Sequence, residues 1–145
     1  MIYIIDHKDS FTHNVVHQFE KFDKVECDNF DKINEAKLKQ SKVIVFSPGP
    51  GSPANYPMSS RIYKEFKGKK KIIGICLGFQ QILHCEKGQI VQQSKIYHGY
   101  QSNIKVTSNN SLFKKNQKFI VGRYHSLKLK EPFYAKNFEI TMRCA

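Results

Sequence analysis

Short apolar runs alternate with amphipathic segments along the first 88 residues. Strands are predicted at 2–5, 42–46 and 71–75, which are apolar runs of strand length, and a shorter strand at 25–28. Helices are predicted between them at 11–22, 31–40 and 58–66, and from 77 to a stop at Gly88. Alternating strands and helices are typical of parallel sheets. We therefore predict an α/β fold, an open and mostly parallel sheet with helices on both faces, as in flavodoxin-like proteins.

The predicted helix starts carry polar capping residues. Asp9, Ser10 and Thr12 can cap the first helix, and Asp31 can cap the second. Phe11 begins the apolar face of the first helix, so a place in the core is expected for it.

Beyond Gly88 the pattern changes to shorter β-like pieces. They lie at 89–93, 103–106, 118–123 and 138–141. No linker, repeat or low-complexity tract separates them from the first part of the chain. With 145 residues in total, we expect residues 1–145 to form one domain.

Composition places the chain among soluble globular proteins. Apolar residues make up 40% and aromatic residues 12%, which is too much for a disordered chain. No apolar stretch is long enough to span a membrane, and the N-terminus lacks the features of a signal peptide, so a cytoplasmic protein is predicted. The four cysteines form no C-x-x-C pair. Free thiols are therefore expected, with no metal site and no cofactor.

The formal charge of +12 raises the possibility of nucleic-acid binding. Almost all of the positive charge is lysine, whereas base readout and bidentate phosphate contacts favour arginine. The one lysine cluster, at 67–71, precedes a predicted strand and fits a solvated loop. We predict no nucleic-acid partner and no membrane partner. A basic nucleic-acid-binding domain is kept as a third hypothesis, and its affinity would fall steeply with salt.

A single cysteine stands between two glycines where the fourth predicted strand meets its helix. The sequence is G-x-C-x-G, from Gly74 through Cys76 to Gly78. This pattern is the thiol counterpart of the nucleophile elbow, in which small residues let strand and helix pack closely and leave the nucleophile exposed. The helix N-terminus is expected to lower the pKa of the thiol. A buried structural cysteine beside two loop glycines is the alternative.

A second motif, SPGPGSP, follows the strand predicted at 42–46. Ligands of open parallel sheets bind outside the carboxyl ends of the strands, and Cys76 lies at such an end as well. The two motifs are therefore expected on one rim, which favours Cys76 as a nucleophile.

Four motifs together resemble class I glutamine amidotransferases. They are DHKDSFTHN, SPGPGSP, GICLGFQ and RYHSL, and the resemblance covers about residues 1–141. More narrowly, the chain is similar to the glutaminase component (component II) of anthranilate synthase or of aminodeoxychorismate synthase. The DSFT sequence at 9–12 and the HSL sequence at 125–127 favour this chorismate-using branch.

The resemblance implies roles for individual residues. Cys76 resembles the nucleophile that attacks the side-chain amide of glutamine. Because Pro50 has no N–H, Gly49 or Gly51 would donate to the oxyanion together with Leu77. The predicted substrate-binding residues are Gly49, Pro50, Gly51, Leu77, Gln80, Ser126 and Leu127.

Some of these residues have a simpler structural interpretation. Gln80 could be an ordinary amide on a helix surface, and SPGPGSP could be a plain turn. His125 is interpreted as a structural histidine. Ser10 and Phe11 resemble a surface near the synthase partner, although a helix cap and a core aromatic are simpler roles.

The chain departs from the family pattern near its C-terminus. The family's base and its orienting carboxylate lie in an H-x-E motif, and no such segment follows RYHSL before Ala145. The string His84-Cys85-Glu86 is rejected, because His84 would lie about 12 Å along the helix from Cys76. Residues two apart on a helix also diverge, so Glu86 could not orient His84. A C-terminally truncated, impaired or inactive enzyme is therefore expected.

The predicted function is that of a glutamine amidotransferase subunit. It would hydrolyse L-glutamine and pass ammonia to a separate chorismate-binding synthase subunit, since 145 residues leave no room for an acceptor domain. The pathway, anthranilate or aminodeoxychorismate, depends on that partner. The alternative is a truncated, non-catalytic glutaminase fold that binds glutamine or the partner without turnover.

Overall fold

The computed structural model describes residues 1–144 and divides the chain into two compact units. The first spans Met1–Ile90 and the second begins at Val91. The prediction that the chain forms a single domain stays a prediction.

The first unit is a four-stranded parallel sheet with helices between the strands. Its elements in chain order are β1 Ile2–Asp6, α1 Thr12–Glu20, β2 Val25–Asn29, α2 Glu35–Gln40, β3 Val43–Phe46, a 3₁₀ turn Pro53–Asn55, α3 Pro57–Phe66, β4 Lys71–Gly74 and α4 Leu77–Cys85. The strand order is β2-β1-β3-β4, and all pairs are parallel. Every strand and helix predicted in this part of the sequence is present.

Alternate residues of β1 point to opposite faces of the sheet, and helices cover both. On one face, Tyr3 and Ile5 pack with residues of α2 and α3, and Ile82 of α4 lies against them. On the other face, Ile2 and Ile4 pack against α1. This arrangement confirms the predicted α/β class with a parallel sheet flanked by helices.

Two predicted helix caps and one core residue are wrong. The first helix begins after Phe11 with no side-chain cap on its Ncap residue; instead the carboxylate of Asp9 accepts the N–H of Phe11 at 2.8 Å. Phe11 is 60% exposed and does not belong to the core. The second helix is capped by Asn34, whose side chain accepts the N–H of Lys37. Asp31, the predicted cap, instead pairs with a lysine.

The second unit contains a small sheet in the order β6-β5-β7. Its strands are β5 Ile90–Val106, β6 Lys118–Leu129 and β7 Met142–Cys144, and β7 pairs antiparallel with β5. The pieces predicted at 89–93 and 103–106 are parts of one long strand. The strand predicted at 138–141 is wrong, because the strand in this region starts at Met142. A turn precedes Glu139, whose side chain accepts hydrogen bonds from Ser108 and Asn110.

Within residues 1–144, none of the helices combines the length and the apolar character that a membrane crossing requires.

Candidate active site

Three adjacent parallel strands end side by side at one edge of the first sheet. His7 follows β1, Ser47 follows β3, and Ile75 and Cys76 follow β4. Because β1 pairs with β3 and β3 pairs with β4, the segments that leave these strand ends are neighbours. The SPGPGSP segment and Cys76 therefore lie at one rim, where ligands of such sheets bind.

Cys76 is the Ncap residue of α4 and has an unusual backbone conformation, with φ 53° and ψ −107°. A positive φ is rare for a residue with a side chain and marks local strain, which clusters at functional sites. The side chain is exposed. The alternative interpretation of Cys76 as a buried structural cysteine does not fit this exposure.

The two glycines flanking Cys76 permit close packing of the strand and the helix. A Cβ atom on Gly74 would overlap the backbone carbonyl of Gly78, and one on Gly78 would overlap the carbonyl of Phe46 at the end of β3. Any larger residue would push α4 away from the sheet. The structural reason proposed for G-x-C-x-G is thus present in the molecule.

The electrostatic environment of Cys76 differs from the expectation. The pKa of its thiol is raised, first by the surrounding protein atoms that desolvate the thiolate and also by the negative charge of Asp9. The backbone N–H of Leu77 opposes these effects but does not outweigh them. The expected net lowering of the pKa is therefore wrong, because desolvation of the thiolate is the larger effect.

The SPGPGSP loop is fixed beside the start of α4. A Cβ on Gly49 would lie 2.5 Å from Cβ of His7 and 2.7 Å from Cδ2 of Leu77, so the Gly49 backbone is held between these two residues. The carbonyl of Pro50 accepts the Tyr56 hydroxyl at 2.7 Å. Gly51 has φ +76°, which a glycine adopts without strain. The loop thus presents its glycine backbone next to the residue that follows Cys76.

Gln80 lies one helical turn after Cys76, and its backbone N–H donates to the Cys76 carbonyl at 3.0 Å. The side chain is only 8% exposed. The interpretation of Gln80 as an ordinary surface amide is therefore wrong. Leu77 is also buried, at 1% exposure, and it anchors the first turn of α4.

The remaining predicted substrate-binding residues, Ser126 and Leu127, lie on β6 of the second unit. Ser126 is exposed and Leu127 is partly buried. His125 beside them is engaged by Gln93, whose amide lies 2.6 Å from Nδ1, and by Arg123, which donates to Nε2 at 3.2 Å. This network suits the structural role given to His125, and the roles of Ser126 and Leu127 stay predictions.

Glu86 of the rejected His84–Glu86 pair has other partners in the fold. The Glu86 carboxylate accepts the Tyr63 hydroxyl at 2.8 Å and pairs with Lys67. These bonds fix the end of α4 to α3, far along the helix from Cys76, as the sequence spacing indicated.

Three residues at this rim were not predicted to belong to the site: His7, Asp9 and Tyr56. His7 and Asp9 lie in the DHKDSFTHN motif, but nothing in the motif shows that His7 is buried or that Asp9 acts on Cys76. The available signal was position, since both residues follow directly on a buried strand.

Among residues 1–144, no group of three or more His, Cys, Asp or Glu side chains is arranged to hold a metal ion.

The family model described as "Glutamine amidotransferase class-I" matches residues 3–145. The chain is 37% identical to anthranilate synthase component 2 of Lactococcus lactis, covering 97% of this chain and 72% of that protein. It is 31% identical to aminodeoxychorismate/anthranilate synthase component 2 of Bacillus subtilis, covering 97% and 74%.

Solved structures share the fold at much lower identity. A glutamine amidotransferase from Thermotoga maritima superposes with a TM-score of 0.70 at 16% identity, covering 90% of this chain and 62% of that one. Another from Methylobacillus flagellatus gives 0.74 at 12% identity, covering 99% and 60%. Together with the family match and the strand-to-helix cysteine, these likenesses show that the chain belongs to the class I glutamine amidotransferases.

Proposed function

We propose that the chain is the glutaminase subunit of a chorismate-converting synthase and that Cys76 is its nucleophile. The observation that carries the proposal is the exposed Cys76, held with a positive φ next to a loop whose Gly49 backbone touches Leu77. A thiolate in this position can attack the side-chain amide carbon of glutamine.

The reaction proceeds in two steps. The sulfur forms a bond to the amide carbon, and the carbonyl oxygen becomes an oxyanion that the N–H of Leu77 and an N–H of Gly49 or Gly51 stabilise. The C–N bond then breaks, and the nitrogen leaves as ammonia after it takes up a proton. Water attacks the resulting thioester, which releases glutamate and restores the thiol.

The predicted substrate contacts complete the proposal. Gln80 and Pro50 line the glutamine side chain next to Cys76, and Ser126 and Leu127 hold its backbone end. These roles rest on the match of the sequence to the family motifs.

A separate synthase subunit is the proposed acceptor of ammonia. The relatives are named as components 2 of anthranilate synthase and of aminodeoxychorismate synthase, and a component 2 implies a component 1. We place the reaction in the cytoplasm, where a free thiol nucleophile remains reduced.

Exposed apolar side chains at the rim suit such a partner. Phe11 at the start of α1 is 60% exposed, Met58 in the first turn of α3 is 38% exposed, and Phe79 in the first turn of α4 is 52% exposed. All three helices begin at the edge that carries Cys76, since each follows a parallel strand. A partner seated here would cover apolar surface and receive ammonia directly.

Turnover by residues 1–145 is proposed to be slow. Among the described residues, the groups that shift the pKa of the Cys76 thiol include the Leu77 N–H, which only donates, and the Asp9 carboxylate, and a carboxylate is a weak base toward a thiol whose pKa is raised. A placed general acid–base is worth about a hundred- to ten-thousand-fold in rate. The same observation favours the alternative function, a non-catalytic glutamine- or partner-binding subunit.

The nucleophile is tested by labelling with a glutamine-like chloroketone followed by peptide mapping. We expect the L-form to label Cys76 selectively, and Cys27, Cys85 and Cys144 to react slowly. Cys76→Ser should abolish this labelling and leave the others unchanged. Equal labelling of all four cysteines would overturn the assignment.

Turnover is tested by ammonia release from glutamine with a component 1 synthase present. A chimera in which the C-terminal part of the Lactococcus lactis relative follows residue 145 should be about a hundredfold faster or more than this chain. Equal rates would place the base within residues 1–145, and binding of glutamine without turnover in both proteins would support the non-catalytic alternative.

The partner surface is tested by co-purification with that synthase. Phe11→Ser and Phe79→Ser should weaken the complex, whereas Phe22→Ser, at an 81% exposed site after the end of α1, should not. Equal binding by all three variants would count against a partner at this rim.

A further inference from the structure

His7 is a fully buried imidazole directly behind the SPGPGSP loop, and the proposed reaction gives it no part. Its exposed fraction is 0%. The ring meets Tyr56 edge-on at 4.6 Å between centroids and stacks on Phe30 at 6.1 Å. Desolvation lowers its pKa, so the ring is neutral at physiological pH, and a buried neutral imidazole needs a partner at each nitrogen.

Both ring nitrogens have such partners. Nδ1 lies 3.1 Å from the carbonyl oxygen of Ser47, and because a carbonyl only accepts, Nδ1 carries the hydrogen. Nε2 then accepts from the hydroxyl of Ser59 in α3 at 2.9 Å. The tautomer is thus fixed by the two neighbours.

The backbone adds two further bonds between the same residues. The N–H of His7 donates to Oγ of Ser47 at 2.9 Å, and this hydroxyl donates to the Pro48 carbonyl at 2.7 Å. The start of the loop is therefore held by His7 through its ring and through its main chain.

The contact continues from His7 to the site of chemistry. The position of a Cβ on Gly49 would be 3.1 Å from the His7 carbonyl oxygen as well as 2.5 Å from its Cβ. The same point would lie 2.7 Å from Cδ2 of Leu77, whose N–H acts on the Cys76 thiol. A shift of His7 would move the Gly49 backbone relative to Leu77.

We propose that His7 is a positioning residue: its neutral imidazole holds the Ser47 carbonyl and so fixes the direction of the loop N–H groups that receive the oxyanion. This inference rests on the proposed glutaminase function, which alone supplies an oxyanion. His7 is buried behind the loop and acts through Gly49, without touching the substrate.

The test compares His7→Asn with His7→Leu. The two replacement side chains have nearly the same shape, so both lose the same ring contacts, but only the Asn amide can donate to the Ser47 carbonyl in place of Nδ1. The difference between them therefore reports the hydrogen bond and not the packing.

Two labelling rates at Cys76 provide the readout. Iodoacetamide reacts at a tetrahedral carbon and needs no oxyanion site, whereas the L-glutamine-like chloroketone presents a carbonyl to the loop. We expect the chloroketone-to-iodoacetamide rate ratio to fall about tenfold or more in His7→Leu, because a misdirected donor loses part of the roughly hundred- to thousandfold that an oxyanion donor contributes, and to stay within about threefold of wild type in His7→Asn. Equal ratios in the two variants would overturn the proposal.

A milder variant covers the case in which His7→Leu does not fold. Ser59→Ala removes the hydroxyl that holds the tautomer in which Nδ1 donates to Ser47, so the ratio should fall by about fivefold, more than the spread allowed for His7→Asn. An unchanged ratio in Ser59→Ala would then overturn the positioning role.

Labelling of the wild-type chain distinguishes a failure of the His7 proposal from a failure of the proposed glutaminase function. If Cys76 reacts equally with the L- and D-chloroketones, the glutaminase proposal fails. If the L-form is preferred and the Leu and Asn variants have equal ratios, only the role of His7 fails.

Discussion

The two units of the chain use strands in different ways. In the first unit, helices cover both faces of a parallel sheet, and Ile4 and Ile44 have no exposed surface. In the second unit, Ile120 of β6 is 71% exposed, and Val106 is the one fully buried large apolar side chain among the described residues. Apolar strand sequences therefore acquire a core only where helices cover them, and the rim that carries Cys76 belongs to the covered sheet.

The largest contrast is expected from truncation of isoleucine in each sheet. Ile4→Ala removes buried volume from β1 and should lower the free energy of unfolding by about 2–5 kcal/mol. Ile120→Ala should change it by less than about 0.5 kcal/mol, since its side chain is mostly solvated. Urea unfolding followed by circular dichroism measures both, and equal losses would show that the second sheet is covered in solution.

Glycine substitutions in the two units should differ in the same way, because the backbone is closely packed at Gly78 and open at Gly122. Gly78→Ala forces α4 away from Phe46 and should cost about 1–3 kcal/mol, with slower labelling of Cys76 by the L-chloroketone. Gly122→Ala in β6 would meet only Cε2 of Tyr124 at 3.4 Å, an ordinary contact, and should be tolerated within about 0.5 kcal/mol. The same unfolding experiment decides, and a tolerated Gly78→Ala would mean that the elbow is loosely packed.

The thiols of the two units should respond differently to the removal of one charge. Asp9→Asn keeps an oxygen that can accept the Phe11 N–H but removes the negative charge that raises the pKa of Cys76. Iodoacetamide should therefore label Cys76 about two- to fivefold faster at pH 7.5, because removal of the charge lowers the pKa and leaves more of the thiol as thiolate. Cys144, on β7, serves as the internal control and should not change. An unchanged Cys76 rate would remove Asp9 from the electrostatics of the site.

The smallest expected effect is acid sensitivity that comes from the first unit. His7 is held neutral in the fold, facing Ser47, Ser59 and Tyr56 with Asp6 as the nearby charge, so its pKa lies below the ordinary 6.5. Below about pH 6.5 the unfolded chain binds a proton that the folded chain does not, and the free energy of unfolding falls as pH falls, by at most about 1.4 kcal/mol per pH unit until the folded pKa is reached.

The matching control for this pH effect is His7→Asn, which replaces the imidazole with an amide that does not titrate and leaves the other five histidines in place. The stability difference between wild type and His7→Asn should shrink between pH 7.5 and pH 5. A difference that is constant with pH would mean that His7 is not held neutral in the folded protein.

Much of the first unit could be predicted because its signals are local. The apolar runs at 2–5, 42–46 and 71–75 became β1, β3 and β4, and the G-x-C-x-G pattern located the strand-to-helix junction. The choice of Asn34 over Asp31 as a cap could not be predicted, since either residue can accept a backbone N–H. The prediction of two short strands in place of the long β5 was wrong, because the polar stretch between the two predicted pieces does not break the strand.

The environment of the site was less predictable than its position. The pKa of Cys76 depends on Asp9, and the buried state of His7 depends on Tyr56 and Ser59, all distant in sequence. The exposure of Phe11 was missed because helical periodicity marks an apolar face without showing whether another element covers it. Such features arise from tertiary contacts that a single sequence does not display.

The backbone conformation of Cys76 also limits how this protein can change over generations. Glycine adopts a positive φ without penalty, so Cys76→Gly would relax the junction and raise the thermal midpoint of unfolding while removing the sulfur. The residue that disfavours the fold is the one that the proposed chemistry requires. Selection for durability alone would favour glycine at this position, whereas selection for the proposed chemistry would favour cysteine.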